Sequence, residues 1–313
     1  CKNPGEDARL YKAVEACSRF ACELGINIPT GKDSLSMTQK YGDEKVYSPG
    51  TVIISAGAEV SDVKKVVSPV LVRDARTAVY YIDFSFDALS LGGSAFAQSL
   101  GKVGCQAPTV QDSEYFASAF NAIQQLISEG LILAGHDISA GGMITALLEM
   151  NFANTEGGLE VKLDKLPEKD LIKILFSENP GVLIQVKDRK AVEKILEEAG
   201  VGYAVVGHPC SERHILVSKD GAEYLFGIDH LRDVWFSSSY LLDRKQSGEA
   251  QAKARFLNYK EQPLHYHFGK SFTGKMEQYG ISADRRKPSG IKAAIIREKG
   301  VNGDREMAYS LYL

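Results

Sequence analysis

The stretch AGHDISAGG, residues 134–142, sets an acid, a hydroxyl and two glycines at the head of a helix-like apolar pattern, directly after the apolar run Leu131 to Leu133. Those residue types suit a nucleotide's phosphates. Glycines let the backbone come close, a helix N-terminus offers unpaired N–H groups, Ser139 can donate to an oxygen, and Asp137 can hold a magnesium ion that bridges phosphates. A plainer assignment is equally open: Asp137 or Ser139 caps the helix, worth about 1 kcal/mol, and the glycines serve tight packing. The stretch PTGKDSLSM, residues 29–37, poses the same choice. Gly31 permits close approach, Lys32 offers a phosphate partner, and Asp33 and Ser34 are metal or substrate groups, yet a surface turn accounts for the same letters. It is not a Walker A loop, which needs a further glycine upstream at fixed spacing.

The remaining candidates say less alone. His136 is either a general base or a ring that packs and bonds to backbone beside the turn. His265 and His267 would face one side of an extended segment, but no third metal ligand accompanies them. Glu178, in the turn LFSENPG ahead of the apolar run VLIQV, reads as a solvated carboxylate unless its surroundings recruit it.

Positioning such groups takes strands and helices, and the pattern supplies them. Residues 7–24 carry Leu10, Val14, Cys17, Ala21 and Leu24 at helical steps, and Gly25 ends that helix. TVIIS, bounded by Pro49-Gly50, predicts a strand, followed by a mixed-charge connector containing Pro69. A second unit opens with the strand AVYYID from Ala78, then a helix at LGGSAFAQSLG and another over 113–128, with Tyr115, Phe116, Ala119, Ile123, Leu126 and Ile127 on one side. VLIQV, a helix over 189–199 and YAVVGH make a β-α-β arrangement with short joints. A helix-like run over 236–257 leads into an aromatic, basic, turn-rich linker. GIKAAII and the residues after it read as a buried-type strand, a glycine turn and the start of a helix, like the opening of a doubly wound domain.

Bulk properties bound the function. At 313 residues and 34.2 kDa there is room for two domains. A net charge of −3 supplies no field to draw in a nucleic-acid backbone. No apolar run approaches the ~18–20 residues that span a bilayer, and no signal segment opens the chain. The expectation is a cytoplasmic protein with neither nucleic acid nor membrane as partner. Five cysteines, an odd number without CxxC spacing, read as reduced and structural. The chain opens on Cys1 and closes on MAYSLYL in mid-helix by its pattern, so it reads as an excerpt of a longer protein.

With these pieces in order, the sequence resembles the phosphoribosylformylglycinamidine synthases. The resemblance rests on NPGEDARLY (3–11), IPTGKDSLSM (28–37), HDISAGG (136–142), LFSE followed by VLIQV, and LRDVWFSSSYLLDR (231–244), in the family's order across nearly the whole chain. It implies an α+β, aminoimidazole-ribonucleotide-synthetase-like fold: residues 1–63 as the end of an N-terminal-type domain, 64–245 as a C-terminal-type α/β domain, 246–285 as linker, and 286–313 as the first β-α unit of a class I glutaminase. The implied chemistry is ATP-driven. The amide oxygen of formylglycinamide ribonucleotide is phosphorylated, and ammonia from glutamine displaces the phosphate.

Carried over residue by residue, the resemblance makes Asp137 a magnesium ligand and Ser139 a nucleotide contact in an auxiliary pocket that takes ATP or ADP. It makes Gly31, Lys32 and Ser34 ATP and substrate contacts. Lys32 stands where smaller relatives have a metal-binding asparagine, and a lysine cannot ligate magnesium, so it would neutralise phosphate directly. Those relatives read SESQ where this chain has SENP, which leaves Glu178 as the substrate contact there. No cysteine follows Cys210, so the glutaminase nucleophile is absent, no residue takes a catalytic role, and the isolated chain is expected to be inactive. Its partners would be nucleotide ligands and the remaining domains of its own polypeptide, and exposed strand edges would offer a route to a homodimer. Two alternatives stand beside this: a non-catalytic interaction module, or another ATP-using synthetase of the same superfamily.

Overall fold

A computed structural model describes residues 3–28, 31, 38–48, 50–261, 267–282, 287, 289–301 and 303–312. The chain divides into two compact units, one built from residues 1–64 and 269–313, the other from residues 65–268.

The first unit holds helix α1 (Glu6–Glu23) and a hairpin of β1 (Thr38–Tyr41) and β2 (Glu44–Tyr47). Tyr41 faces Glu44 across the two-residue turn at Gly42, whose φ of +60° suits the left-handed turn that joins twisted strands. The strand expected at TVIIS does not form a ladder with any described residue, and Ile53 is 84% exposed. An apolar run becomes a strand only where a neighbour takes its N–H and C=O groups, and the described residues offer none here. The same holds at GIKAAII, where no strand forms and Ile296 is 95% exposed. Of the expected glutaminase-type β-α unit, the described residues show the helix alone, Asp304–Tyr312.

The second unit is a seven-stranded sheet between two helical layers. In chain order it contains β3 (Ala78–Asp83), α2 (Ala95–Ser99), α3 (Ser113–Ser128), β4 (Ile132–Asp137), α4 (Gly142–Phe152), β5 (Gly158–Lys162), α5 (Leu171–Phe176), β6 (Gly181–Val186), α6 (Arg189–Glu198), β7 (Tyr203–Cys210), β8 (His214–Lys219), β9 (Ala222–Gly227), α7 (Ile228–Ser247) and α8 (Glu249–Leu257). The strands lie in the order β4-β6-β3-β7-β5-β8-β9, antiparallel except for β5 beside β8. The expected β6-α6-β7 unit is therefore a split one, because β3 inserts between its two strands. This is the mixed helix-and-sheet architecture the resemblance implies.

Alternation along β3 shows why the sheet is covered twice. Val79 packs with Leu147, Leu175 and Leu183 on the face of α4 and α5, while Ala78, Tyr80 and Ile82 pack with Leu126, Val192 and Leu196 on the face of α3 and α6. Each fully buried leucine contributes about 1.5–3 kcal/mol relative to exposure. Asp112 starts α3 and Asp188 starts α6, each carboxylate accepting N–H groups of the first turn. Residues 249–257, the second half of the expected helix-like run over 236–257, form α8 against α7. Arg232, buried on α7, stacks over Tyr259 at 3.5 Å and donates to the carbonyl of Phe256 at 3.0 Å, which ties the end of α8 back.

Candidate functional site

Strand directions bring the candidate residues to one end of the sheet. β4 and β3 end there with Asp137 and Asp83, and the antiparallel β6 and β7 begin there after Ser177-Asn179 and Gly202. At the edge, Asp137 pairs opposite Val182, and Ile138 donates its N–H to the carbonyl of Gly181 at 2.8 Å. The chain then reverses. The carbonyl of Ser139 accepts the N–H of Gly142 at 3.0 Å, and Gly141 and Gly142 take φ of +89° and +72°. A Cβ on Gly142 would lie 2.6 Å from the carbonyl oxygen of Leu175, and one on Gly141 2.3 Å from Oγ1 of Thr145. Both glycines are favoured by their left-handed conformation, and Gly142 also by its close approach to the backbone of Leu175 and Phe176.

The choice between cap and cradle resolves differently from either simple alternative. Neither Asp137 nor Ser139 caps α4, because Gly141 occupies the N-cap position without a side-chain hydrogen bond of its own. The role falls to Glu178, whose Oε1 accepts the N–H of Gly141 at 2.8 Å and that of Ala95, at the head of α2, at the same distance. Glu178 is half-buried and recruited by two main-chain segments, rather than a solvated carboxylate. With capping done elsewhere, Asp137 and Ser139 stay exposed on either side of buried Ile138, and the Asp137 side chain is 74% accessible.

His136 is neither free nor idle. Its Nδ1 donates to the Asp137 carbonyl at 2.7 Å and lies 3.4 Å from Oδ1 of Asp137, while Nε2 lies 3.1 Å from Oε2 of Glu149. The other oxygen of Glu149 accepts the indole N–H of Trp235 at 3.0 Å. The sequence offered one signal for this pair: Glu149, seven residues after Gly142, is the one charged residue of a largely apolar helix, and two turns bring it back over the strand. Asn179 was missed outright. It is buried, accepts the N–H of Ser90 at 3.2 Å, and donates to Oγ of Ser85 at 3.1 Å and the carbonyl of Ala88 at 3.2 Å, so it pins the loop after β3.

Beside the motif lies a cavity of about 760 Å³. Ile138 and Met143 form part of its wall, together with Tyr81, Phe86, Tyr115 and Lys165; Asp137, Ser139 and Glu178 do not line it. Burial, with the nearby Asp83 carboxylate, pushes the Tyr81 phenol well above its ordinary value, so that hydroxyl keeps its proton. The cavity is thus a largely apolar neighbour of the Asp137 ledge and separate from it.

Gly31 is exposed. Lys32, Asp33, Ser34 and His265 lie outside the described residues, and the PTGKDSLSM stretch has no geometry to report beyond Gly31. Among the described residues no group of three or more His, Cys, Asp or Glu is placed to hold a metal ion, and Cys17, Cys22, Cys105 and Cys210 are free thiols. No described helix is long and apolar enough to cross a membrane. A single open carboxylate at Asp137 fits magnesium held mainly by water and phosphate oxygens, not by a protein cage.

The chain matches the sequence model of the AIR synthase related protein, C-terminal domain, over residues 84–218, and that of the FGAR-AT PurM_N-like domain over residues 1–59. It is 36% identical to the phosphoribosylformylglycinamidine synthase of Homo sapiens, an alignment covering 100% of this chain and 23% of that protein. It is 34% identical to a probable phosphoribosylformylglycinamidine synthase, chloroplastic/mitochondrial, of Arabidopsis thaliana, covering 99% of this chain and 22% of that protein. The chain thus spans less than a quarter of the length of these two relatives. Thermotoga maritima PurL complexed with FGAR aligns with 54% of this chain and 30% of its own, at 21% identity and a TM-score of 0.43.

Proposed function

Because the chain belongs to the phosphoribosylformylglycinamidine synthase family, we propose that it supplies a nucleotide-phosphate ledge to an ATP- and glutamine-dependent carbon–nitrogen ligase, with Asp137 holding magnesium and Ser139 touching phosphate. One observation carries this reading. The Glu178 carboxylate takes over the capping of α4, which leaves Asp137 and Ser139 exposed at the head of that helix with their side chains uncommitted to the cap.

In the complete enzyme the reaction is phosphorylation of the amide oxygen of formylglycinamide ribonucleotide, followed by displacement of that phosphate by ammonia. This chain contributes binding to it. Asp137 would orient the magnesium-bound phosphates, and magnesium there would neutralise phosphate charge. Gly31, Lys32 and Ser34 are proposed as ATP and substrate contacts, Lys32 by direct charge neutralisation. The substrate contact proposed for Glu178 falls to its second carboxylate oxygen, since Oε1 is engaged.

Calorimetry of ADP with and without magnesium on the 313-residue chain tests the reading. Binding is expected to strengthen with magnesium, and Asp137→Ala is expected to abolish that gain. Equal heats for the two proteins, or no heat from either, would leave a scaffold in place of a nucleotide site.

A further inference from the structure

Three side chains from three elements form an unbroken polar line that ends at the main chain of Asp137. Trp235 on α7 donates to Oε1 of Glu149 on α4, Oε2 of Glu149 lies 3.1 Å from Nε2 of His136 on β4, and Nδ1 of His136 donates to the Asp137 carbonyl. The middle of the line is the least accessible part: the His136 and Glu149 side chains are 17% and 23% exposed, whereas Trp235 and Asp137 at its two ends are open to solvent. A half-buried carboxylate such as Glu149 is costly unless both its oxygens find partners, and here each has one. The far end is fixed as well, because the Trp235 ring packs on Phe152 with centroids 5.5 Å apart.

We propose that Glu149, backed by the indole of Trp235, is a positioning residue for Asp137. It locks the His136 ring, and the ring in turn fixes the last peptide of β4, so the Asp137 carboxylate meets a cation without first having to be ordered. The arrangement is that of an outer shell orienting a metal ligand. This inference rests on the reading of Asp137 as the magnesium-holding residue.

The chain contains one tryptophan, so the emission of Trp235 reports on the far end of the line. In the wild-type chain, ADP with magnesium is expected to change that emission, and ADP alone is not. Glu149→Gln is expected to cut the magnesium-dependent gain in ADP affinity by about tenfold, the scale of outer-shell losses at metal sites, while affinity without magnesium stays unchanged. Trp235→Phe keeps the ring packing and deletes the N–H. Read by calorimetry, it is expected to show a smaller loss of the same kind, and it carries the test if Glu149→Gln does not fold.

A Glu149→Gln chain that keeps the full magnesium-dependent gain would overturn the proposal, as would one that loses affinity equally with and without magnesium, the mark of general damage. If the wild-type chain shows no magnesium-dependent gain, the reading of Asp137 fails and takes this inference with it. If the wild type shows the gain and the variants match it, the inference alone fails.

Discussion

Glu178 accepts the main-chain N–H of Gly141 at 2.8 Å, and through the same oxygen it also accepts that of Ala95. One carboxylate thus closes the heads of α4 and α2, which are far apart in sequence and adjacent at this end of the sheet. Hydrogen bonds to a charged acceptor are worth about 1.5–3 kcal/mol, and losing the acceptor leaves both donors without their carboxylate partner. Glu178→Ala is expected to lower unfolding stability by about 2–4 kcal/mol in urea titration, on the same principle for two donors. Glu178→Gln, which keeps an acceptor oxygen without the charge, is expected to recover about half of that loss.

Gly142 and Gly130 share nearly the same φ, +72° and +71°, but not the same surroundings. A Cβ at Gly130 meets nothing within 4 Å, whereas at Gly142 it would sit 2.6 Å from the Leu175 carbonyl oxygen and 2.8 Å from Phe176. Gly130→Ala is expected to cost about 1–2 kcal/mol, the left-handed penalty alone. Gly142→Ala adds an overlap with backbone that cannot rotate away, so about 2–5 kcal/mol is expected from the two effects together. Thermal melts of the two variants side by side separate conformation from contact, and equal melting temperatures would show that the Gly142 backbone yields.

Those two glycines also mark how far the sequence could be read. Periodicity found α3 and α6 because Ala119, Ile123 and Leu126 on one, and Val192, Ile195 and Leu196 on the other, repeat at helical steps and bury where that repeat points. It found β3 and β6 because central strands are apolar on both faces. It failed at TVIIS, where an apolar run has no ladder partner among the described residues, and it passed over the hairpin of β8 and β9. There Asp220-Gly221, at φ of +50° and +81°, is a two-residue turn that favours right-handed strand twist. At the site, HDISAGG was legible as a chemical motif. That Glu178, and not Asp137 or Ser139, does the capping was not, because the partners are 37 residues apart and meet only once β4 and β6 pair.

Asp229 is where α7 is pinned to the rest of its unit, and its ionisation should be visible in the acid limb of stability. Its Oδ1 accepts Nε of Arg213 at 3.0 Å and its Oδ2 accepts Nζ of Lys260 at 2.9 Å; Arg213 also donates to the carbonyl of Asn154 at 2.7 Å. Burial pushes the carboxyl up, but the hydrogen bonds from Lys260 and Arg213 outweigh it and hold Asp229 below its ordinary 3.8. The group is thus more acidic folded than unfolded. Its contribution is complete above about pH 4, and it is lost as pH falls through the lowered folded value. Lys260, raised by the same pair, gives the mirror image, present below its unfolded value of 10.5 and lost as pH climbs through the folded one. Asp229→Asn removes the charge at every pH, so the wild-type advantage in urea midpoint is expected to be largest near neutrality. It should shrink as pH falls from about 4 through the lowered folded value, below which the wild-type carboxyl is itself neutral. A gap that stays constant across that interval would mean that Asp229 acts through shape and neutral hydrogen bonds, and that the Arg213–Asp229–Lys260 cluster contributes nothing as a charge network.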